Sequence, residues 1–100
     1  MDGPQSAAAF MAAVERLQEC SPQPLSATGA AILLALHLDI AADSRSIARQ
    51  FGLAHAIVLR EITLLSPRFV HVTKRDARTQ RSFLETTAEG QALAASSASL

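Results

Sequence analysis

Eight basic side chains are concentrated in the middle of this sequence, between positions 44 and 83. The same stretch contains two acidic residues, Glu61 and Asp76, so its local formal charge is +6, although the whole chain is neutral. Clustered Lys and Arg side chains bind polyanions because they replace the counterions that surround phosphate groups. A neutral chain can therefore present one strongly positive face. The basic residues of this stretch are Arg45, Arg49, Arg60, Arg68, Lys74, Arg75, Arg78 and Arg81.

The sequence has few residues that suit other kinds of chemistry. Its single cysteine, Cys20, excludes a disulfide within the chain and a zinc site built from cysteines. The three histidines, His37, His55 and His71, are too far apart in sequence to match a metal-ligand spacing. No glycine-rich phosphate loop and no nucleophile motif is present. We therefore expect a protein that is not an enzyme, with no catalytic residues, no metal and no cofactor.

Apolar residues at helical spacing predict five helices. In the first helix, Phe10, Val14 and Leu17 form one apolar stripe. The second helix is apolar on almost every side, so we expect it to be the central helix of the core. Ser26 and Ser44 are placed to cap the second and third helices. The predicted helices span about residues 7–20, 27–38, 45–51, 54–65 and 87–95.

Two strand-forming runs follow the fourth helix. Residues 69–73 are aromatic and β-branched, and residues 81–86 show a weaker strand pattern. The charged segment between the two runs predicts the loop of a β-hairpin. Within it, Asp76 is expected to hold Arg78 or Arg81 by a charge-assisted hydrogen bond.

The fifth helix has a recognisable start and a weak end. Thr86 followed by Glu89 three residues later matches a capping box. Gly90 near the start should weaken this helix by about 1 kcal/mol relative to alanine. Residues 1–5 are expected to be disordered, and residues 96–100 are expected to fray.

The order of these elements predicts the fold. The helices at 45–51 and 54–65 are joined by a turn that contains Gly52, an arrangement typical of a helix-turn-helix. A helix-turn-helix followed by a cationic hairpin is a winged helix. The predicted fold class is mainly α with a small β-hairpin, a winged helix-turn-helix flanked by N- and C-terminal helices. The expected organisation is a disordered start and dimerising helix at 1–24, the winged helix-turn-helix at 25–87, and a helix and frayed tail at 88–100.

Several short motifs resemble the winged-helix domain of the MarR-type transcriptional regulators, over residues 25–93. The segment 44–53 resembles the family's first helix of the helix-turn-helix and the turn that follows it. Residues 76–78, with the sequence Asp-Ala-Arg, resemble its wing signature, and residues 87–90 resemble the start of its last helix. The core stripe and basic residue of its recognition helix are matched by Val58, Arg60, Ile62 and Leu65.

The resemblance implies a double-stranded DNA partner. In this fold the first helix crosses the phosphate backbone, the second enters the major groove, and the wing lies on the backbone or in the minor groove. The candidate DNA-binding residues are Arg45 and Arg49 in the first helix, His55, Arg60 and Thr63 in the second, and Lys74, Arg75, Arg78 and Arg81 in the hairpin.

The function expected from these features is that of a small dimeric transcriptional regulator. The terminal helices, with apolar residues such as Phe10 and Leu93, would form a twofold homodimer. The N-terminus has no secretory-signal pattern, and the longest apolar run, residues 30–36, is far shorter than a membrane span. We therefore expect a cytoplasmic protein without a membrane partner, and leave a small-molecule effector open.

An alternative function comes from the apolar start of the fourth helix. Ala54, Ala56, Ile57 and Leu59 stand where a DNA-reading helix usually has polar residues. If Ile57 and Leu59 were exposed, they would form an apolar patch of the kind that marks protein contacts. The chain could then be a winged-helix adaptor that binds a protein and has no DNA role.

Overall fold

The computed structural model describes residues 7–98, which form five helices and one two-stranded antiparallel hairpin. The expectation of a mainly helical chain with a small β-hairpin is confirmed. None of these helices is long and apolar enough to cross a membrane. The predicted disordered start lies outside the described residues. In chain order the elements are α1 (Ala7–Cys20), α2 (Ala27–His37), α3 (Ser44–Phe51), α4 (His55–Leu65), β1 (Val70–Asp76), β2 (Arg81–Thr86) and α5 (Ala88–Ala98).

Helix α2 occupies the centre of the core, as its apolar sequence predicts. Ile32 and Leu33 are fully buried, and α2 packs against α1, α4, α5 and β2. On α1, Val14 and Leu17 of the predicted stripe are buried in the same core. Ser26 caps α2 through its side-chain oxygen, as predicted. The apolar pattern therefore determines how α1 and α2 pack.

Helices α3 and α4 are joined by a tight turn at Gly52. This residue has a φ of 65°, a left-handed conformation that glycine adopts without steric cost. The cap of α3 is Asp43, whose carboxylate accepts a hydrogen bond from the N–H of Ser46 at 2.9 Å. The prediction that Ser44 is the cap was wrong, because Asp43 has the extended backbone of a capping residue and Ser44 is already helical.

The hairpin has longer strands and a shorter loop than the sequence indicates. Strand β1 continues to Asp76, so Lys74 and Arg75 pair with β2 and are not loop residues. The register shifts by one residue at Thr73, which forms a β-bulge. The loop is reduced to residues 77–80.

The segment before α3 is attached to the free edge of β2. Asp43 forms an antiparallel bridge with Phe83, and the N–H of Leu84 donates to the carbonyl oxygen of Ala42 at 2.9 Å. The connection between α2 and α3 therefore ends in a short strand-like contact with the hairpin.

Helix α5 starts one residue later and ends three residues later than predicted. Thr87 caps it, and not Thr86, because the Thr87 hydroxyl oxygen accepts from the N–H of Gly90 at 3.0 Å. The prediction of fraying from residue 96 was wrong within the described part of the chain. Ser97 is fully buried, and its carbonyl oxygen accepts a hydrogen bond from the Nε of Arg16 at 2.9 Å.

Gly90 lies where α5 passes over the start of the hairpin. A Cβ atom at this position would overlap the carbonyl oxygen of Phe69, which belongs to the backbone and cannot rotate away. Gly90 is therefore required by a close backbone approach, although sequence alone marks it only as a weak helix former.

We expect Gly90→Ala to destabilise the protein. Helix propensity alone predicts a gain of about 1 kcal/mol. The overlap with Phe69 predicts a loss of about 1–3 kcal/mol. Urea unfolding followed by circular dichroism measures which effect is larger. Ala92→Gly at an exposed position of α5 is the control, with an expected loss of about 1 kcal/mol from propensity. A G90A protein more stable than the wild type would contradict the close approach.

Candidate nucleic-acid interface

Helix α4 has one face in the core and an opposite face in solvent. Val58, Ile62 and Leu65 are buried, as their spacing predicts. Arg60 and Thr63 are exposed on the other side, and the Thr63 hydroxyl donates to a carbonyl oxygen one turn earlier at 3.0 Å. Arg60 is therefore the charged group that α4 presents to a ligand lying along its exposed face.

His55, the first residue of α4, points toward α3 and the hairpin. Its Nε2 atom lies 2.8 Å from the Oγ of Ser44, which also accepts a hydrogen bond from the N–H of Ser82 at 2.9 Å. Burial lowers the pKa of His55, and the positive charges of Arg45 and Arg81 lower it further. His55 is therefore neutral at neutral pH and joins α4 to α3 and β2.

The start of α3 also holds the hairpin through charged side chains. The Nε of Arg45 donates to the carbonyl oxygen of Thr79 in the hairpin loop at 2.9 Å. The Nε of Arg81 lies 3.3 Å from Oδ2 of Asp43, an ion pair without good hydrogen-bond geometry. Two of the predicted DNA-binding cations therefore also position the hairpin.

The expected side-chain pairing of Asp76 does not form. Its Oδ1 accepts a hydrogen bond from the backbone N–H of Arg78 at 3.0 Å, which is an Asx turn. Arg81 pairs with Asp43 instead, because the start of α3 lies beside β2. Arg78 is exposed at the tip of the hairpin.

The β-bulge at Thr73 determines which cation faces α4. Directly opposed residues on paired strands share a face, and Arg75 is opposed to Ser82, which is buried. Lys74 is opposed to Phe83, and its Nζ lies 5.8 Å from the centre of that ring. If Thr73 instead paired regularly with Phe83, Lys74 would face α4 and Arg75 would face away from it.

Arg75 separates two grooves that lie between α4 and the hairpin. One groove has a volume of about 320 Å³ and is lined in part by Leu59 and Arg81. The other has a volume of about 420 Å³ and is lined in part by Thr63 and His71. Since Arg75 lines both, an anion lying in either groove would meet its guanidinium group.

The other predicted site residues are distributed over the surface. Arg49 is exposed on α3, Arg60 on the outer face of α4 and Arg78 at the hairpin tip, whereas Lys74 lies on the far face of the hairpin. The residues that the structure brings together, around the junction of α3, α4 and the hairpin, are Arg45, His55, Thr63, Arg75 and Arg81.

Three residues that determine this geometry were missed by reasoning from sequence. Ser44 and Ser82 are buried partners in the joint with α4. The only hint in the sequence is that Asp43 and Ser44 are both residue types that cap helices. Since one of them is enough to cap α3, the other is available for another contact. Thr73 has no signal in the sequence, since a bulge is defined by pairing across two strands.

Comparison with known proteins does not add a relative. No family model, no curated protein and no solved structure matches the chain. Residues 7–98 contain no group of three or more His, Cys, Asp and Glu side chains that could hold a metal. The cations around α4 are therefore the features that bear on function.

Asp43 has a pKa below its ordinary value, even though burial acts to raise it. Hydrogen bonds from the N–H and hydroxyl of Ser46, at 2.9 and 2.8 Å, and the charge of Arg81 favour the carboxylate. The unfolded chain therefore binds this proton more tightly than the folded protein. The resulting stabilisation is present above the unfolded pKa and is lost as the pH falls through the folded pKa.

Asp43→Asn should keep the cap and lose the charge-dependent part of this stabilisation. We expect the variant to be less stable than wild type at neutral pH by about 0.5–1 kcal/mol. The difference should shrink as the pH falls below the ordinary value of 3.8, measured by urea unfolding at a series of pH values. The control is Asp39→Asn, at an exposed position. A difference that stays constant over this range would contradict the assignment.

Proposed function

We propose that this chain is a DNA-binding winged helix-turn-helix protein, similar to the MarR-type regulators, that acts as a small transcriptional regulator. The element order supports this fold: α2, the strand-like contact at Ala42 and Asp43, α3, α4 and then the hairpin. In the proposed fold, α3 and α4 are the helix-turn-helix and the hairpin is the wing.

The observation that supports DNA binding best is the convergence of cations on the exposed side of α4. Arg45 and Arg75 lie where α3, α4 and the hairpin meet, and Arg60 lies on the outer face of α4. With α4 in a major groove, Arg60 would lie near base edges, and Arg45 and Arg75 near phosphates. Arg78 would reach the backbone or the minor groove from the hairpin tip.

The same face of α4 has few groups for reading bases. Ala56 and Ile57 are exposed, and His55 is turned into the protein. Base edges are read mainly by Arg, Lys, Asn, Gln and hydroxyl groups, which here means Arg60 and Thr63. We therefore expect most of the affinity to come from phosphate contacts and to fall steeply with salt.

A twofold dimer through the terminal helices completes the proposal. Helices α1 and α5 pack against each other, and Met11 on α1 is 51% exposed, although it is apolar. Leu93 on α5 is partly buried. A dimer built on these helices would present two copies of α4 to two half-sites of a palindromic DNA sequence.

Arg75→Ala should weaken DNA binding more than Lys74→Ala, although the two residues are adjacent and both exposed. Arg75 faces α4, whereas Lys74 lies over the ring of Phe83. We expect R75A to lower the affinity about tenfold and to reduce the salt slope by about 1. Fluorescence anisotropy with a DNA duplex over a salt series measures both. Equal losses for R75A and K74A would contradict the assignment of faces.

Deleting Thr73 provides a matched test of the same prediction. Without the bulged residue, Lys74 follows Val72 directly and still pairs with Phe83, so Arg75 stays opposite Ser82 and keeps facing α4. In this background, Arg75→Ala should remain the more damaging of the two substitutions. If Lys74→Ala became the more damaging one, the assignment of faces from the strand pairing would be wrong.

Selection from a random DNA pool tests the proposed function as a whole. We expect the wild-type protein to enrich DNA, and the double variant Arg75→Ala with Arg78→Ala to lose that enrichment. Affinity that does not change between low and moderate salt would count against DNA as the partner. So would equal binding by the double variant.

A second candidate function, a protein-binding adaptor without a DNA role, is supported by apolar side chains on α4. Leu64 is 63% exposed and Ile57 is 37% exposed. Of the two residues considered for this patch, Ile57 is exposed but Leu59 is partly buried beside the hairpin. The apolar surface therefore includes Leu64, which the sequence places beside the core stripe.

Leu64→Gln separates the two candidate functions. An adaptor would lose a stoichiometric, co-purifying partner in this variant, and neither the variant nor the wild type would bind DNA. A DNA-binding protein would keep its affinity, because the variant adds no charge beside Arg60 and Leu64 lies outside the grooves around Arg75.

A further inference from the structure

The hydroxyl of Ser44 is the meeting point of three elements. Ser44 is fully buried in the first turn of α3. Its Oγ accepts the N–H of Ser82 from β2 at 2.9 Å and lies 2.8 Å from Nε2 of His55, the first residue of α4. The proposed recognition helix and wing are therefore linked through one side-chain oxygen that does not reach the surface.

Ser82, Ser44 and His55 form a hydrogen-bonded joint, and only one form of His55 satisfies every donor in it. A serine hydroxyl has one proton to donate, and a buried donor without an acceptor is costly. Since the N–H of Ser82 already donates to Oγ, the Ser44 proton is satisfied when it is donated to Nε2 of His55. The neutral imidazole with its proton on Nδ1 provides this acceptor.

Protonation of His55 would disrupt the joint in two ways. Nε2 would become a donor, so the buried Ser44 proton would lose its acceptor. The new positive charge would also face Arg45 from α3 and Arg81 from β2, with Asp43 as the one opposing charge among the groups that act on the ring. Both effects favour release of the protonated ring from Ser44.

We propose that His55 and Ser44 are positioning residues that form a proton-sensitive joint. The joint holds the hairpin against α4 when His55 is neutral, and its hydrogen bonds break when His55 is protonated. The effect on DNA rests on the proposed function. An intact joint adds to the contacts of Asp43 and Arg45 that order the hairpin before binding, so less ordering of Arg75 has to accompany binding. Acidification therefore weakens DNA binding, whereas a histidine that contacts phosphate would strengthen it.

The experiment compares wild type with His55→Gln, His55→Ala and Ser44→Ala at about pH 7.5 and about pH 4.5, the lower value being well below the ordinary histidine pKa because the pKa of His55 is lowered. Glutamine can accept the Ser44 proton but does not titrate, so H55Q preserves the joint at both pH values. H55A and S44A lack it at both. The first readout is the hydrogen-exchange protection factor of the Ser82 amide, which does not depend on DNA.

We expect Ser82 protection in the wild type to fall about fivefold on acidification toward the level of H55A and S44A, and to stay constant in H55Q. Constant protection in the wild type would overturn the joint. So would a wild type whose protection equals that of S44A at both pH values.

The second readout is affinity for a random-sequence DNA duplex at constant salt. On acidification, wild type should lose about fivefold more affinity than H55Q. A wild type that binds more tightly than H55Q at low pH would overturn the proposal, since His55 would then be a phosphate ligand. Absence of DNA binding together with pH-dependent Ser82 protection would reject the proposed function and leave the joint supported.

Discussion

The geometry around α4 depends on satisfying one buried hydroxyl group. Ser44 lies where α3, α4 and β2 meet, and a polar group in such a place is stable only when its hydrogen bonds are made. Its two neighbours in sequence, Asp43 and Arg45, hold the hairpin along β2 and at its loop. Three consecutive residues therefore fix the hairpin relative to the helices.

Polar contacts also hold the other flank of α4, against the start of α2. Glu61 is buried, and one of its carboxylate oxygens accepts a hydrogen bond from the hydroxyl of Ser26, the cap of α2, at 2.8 Å. A carboxylate is favoured there because the N-terminus of a helix has partial positive charge. The helix is thus oriented by directional contacts on both flanks, while Val58 and Ile62 supply the apolar packing.

The parts of the fold that sequence predicts are those governed by local rules. Periodic apolar residues identify α1 to α4, and Gly52 identifies the turn, because both signals depend on neighbours in the chain. The missed features depend on contacts between distant segments. The end of α5 is stabilised by Arg16, 81 positions away from Ser97 in sequence, and Lys74 and Arg75 become strand residues only through pairing with β2. The same limit applies to the site, because the sequence identifies its cations but not the face of the hairpin on which each of them lies.

The bulge at Thr73 has a consequence for how this hairpin tolerates changes in length. Thr73 is an unpaired extra residue between Val72 and Lys74, so the alternation of side chains passes from Val72 to Lys74 as if Thr73 were absent. Loss of this one residue leaves the two faces of the distal hairpin unchanged, whereas loss of a single paired residue of β1 exchanges them. Changes within the loop at 77–80 also leave the faces unchanged. Length variation in related hairpins should therefore accumulate in the loop or at the bulge, because only the number of paired residues in β1 is constrained.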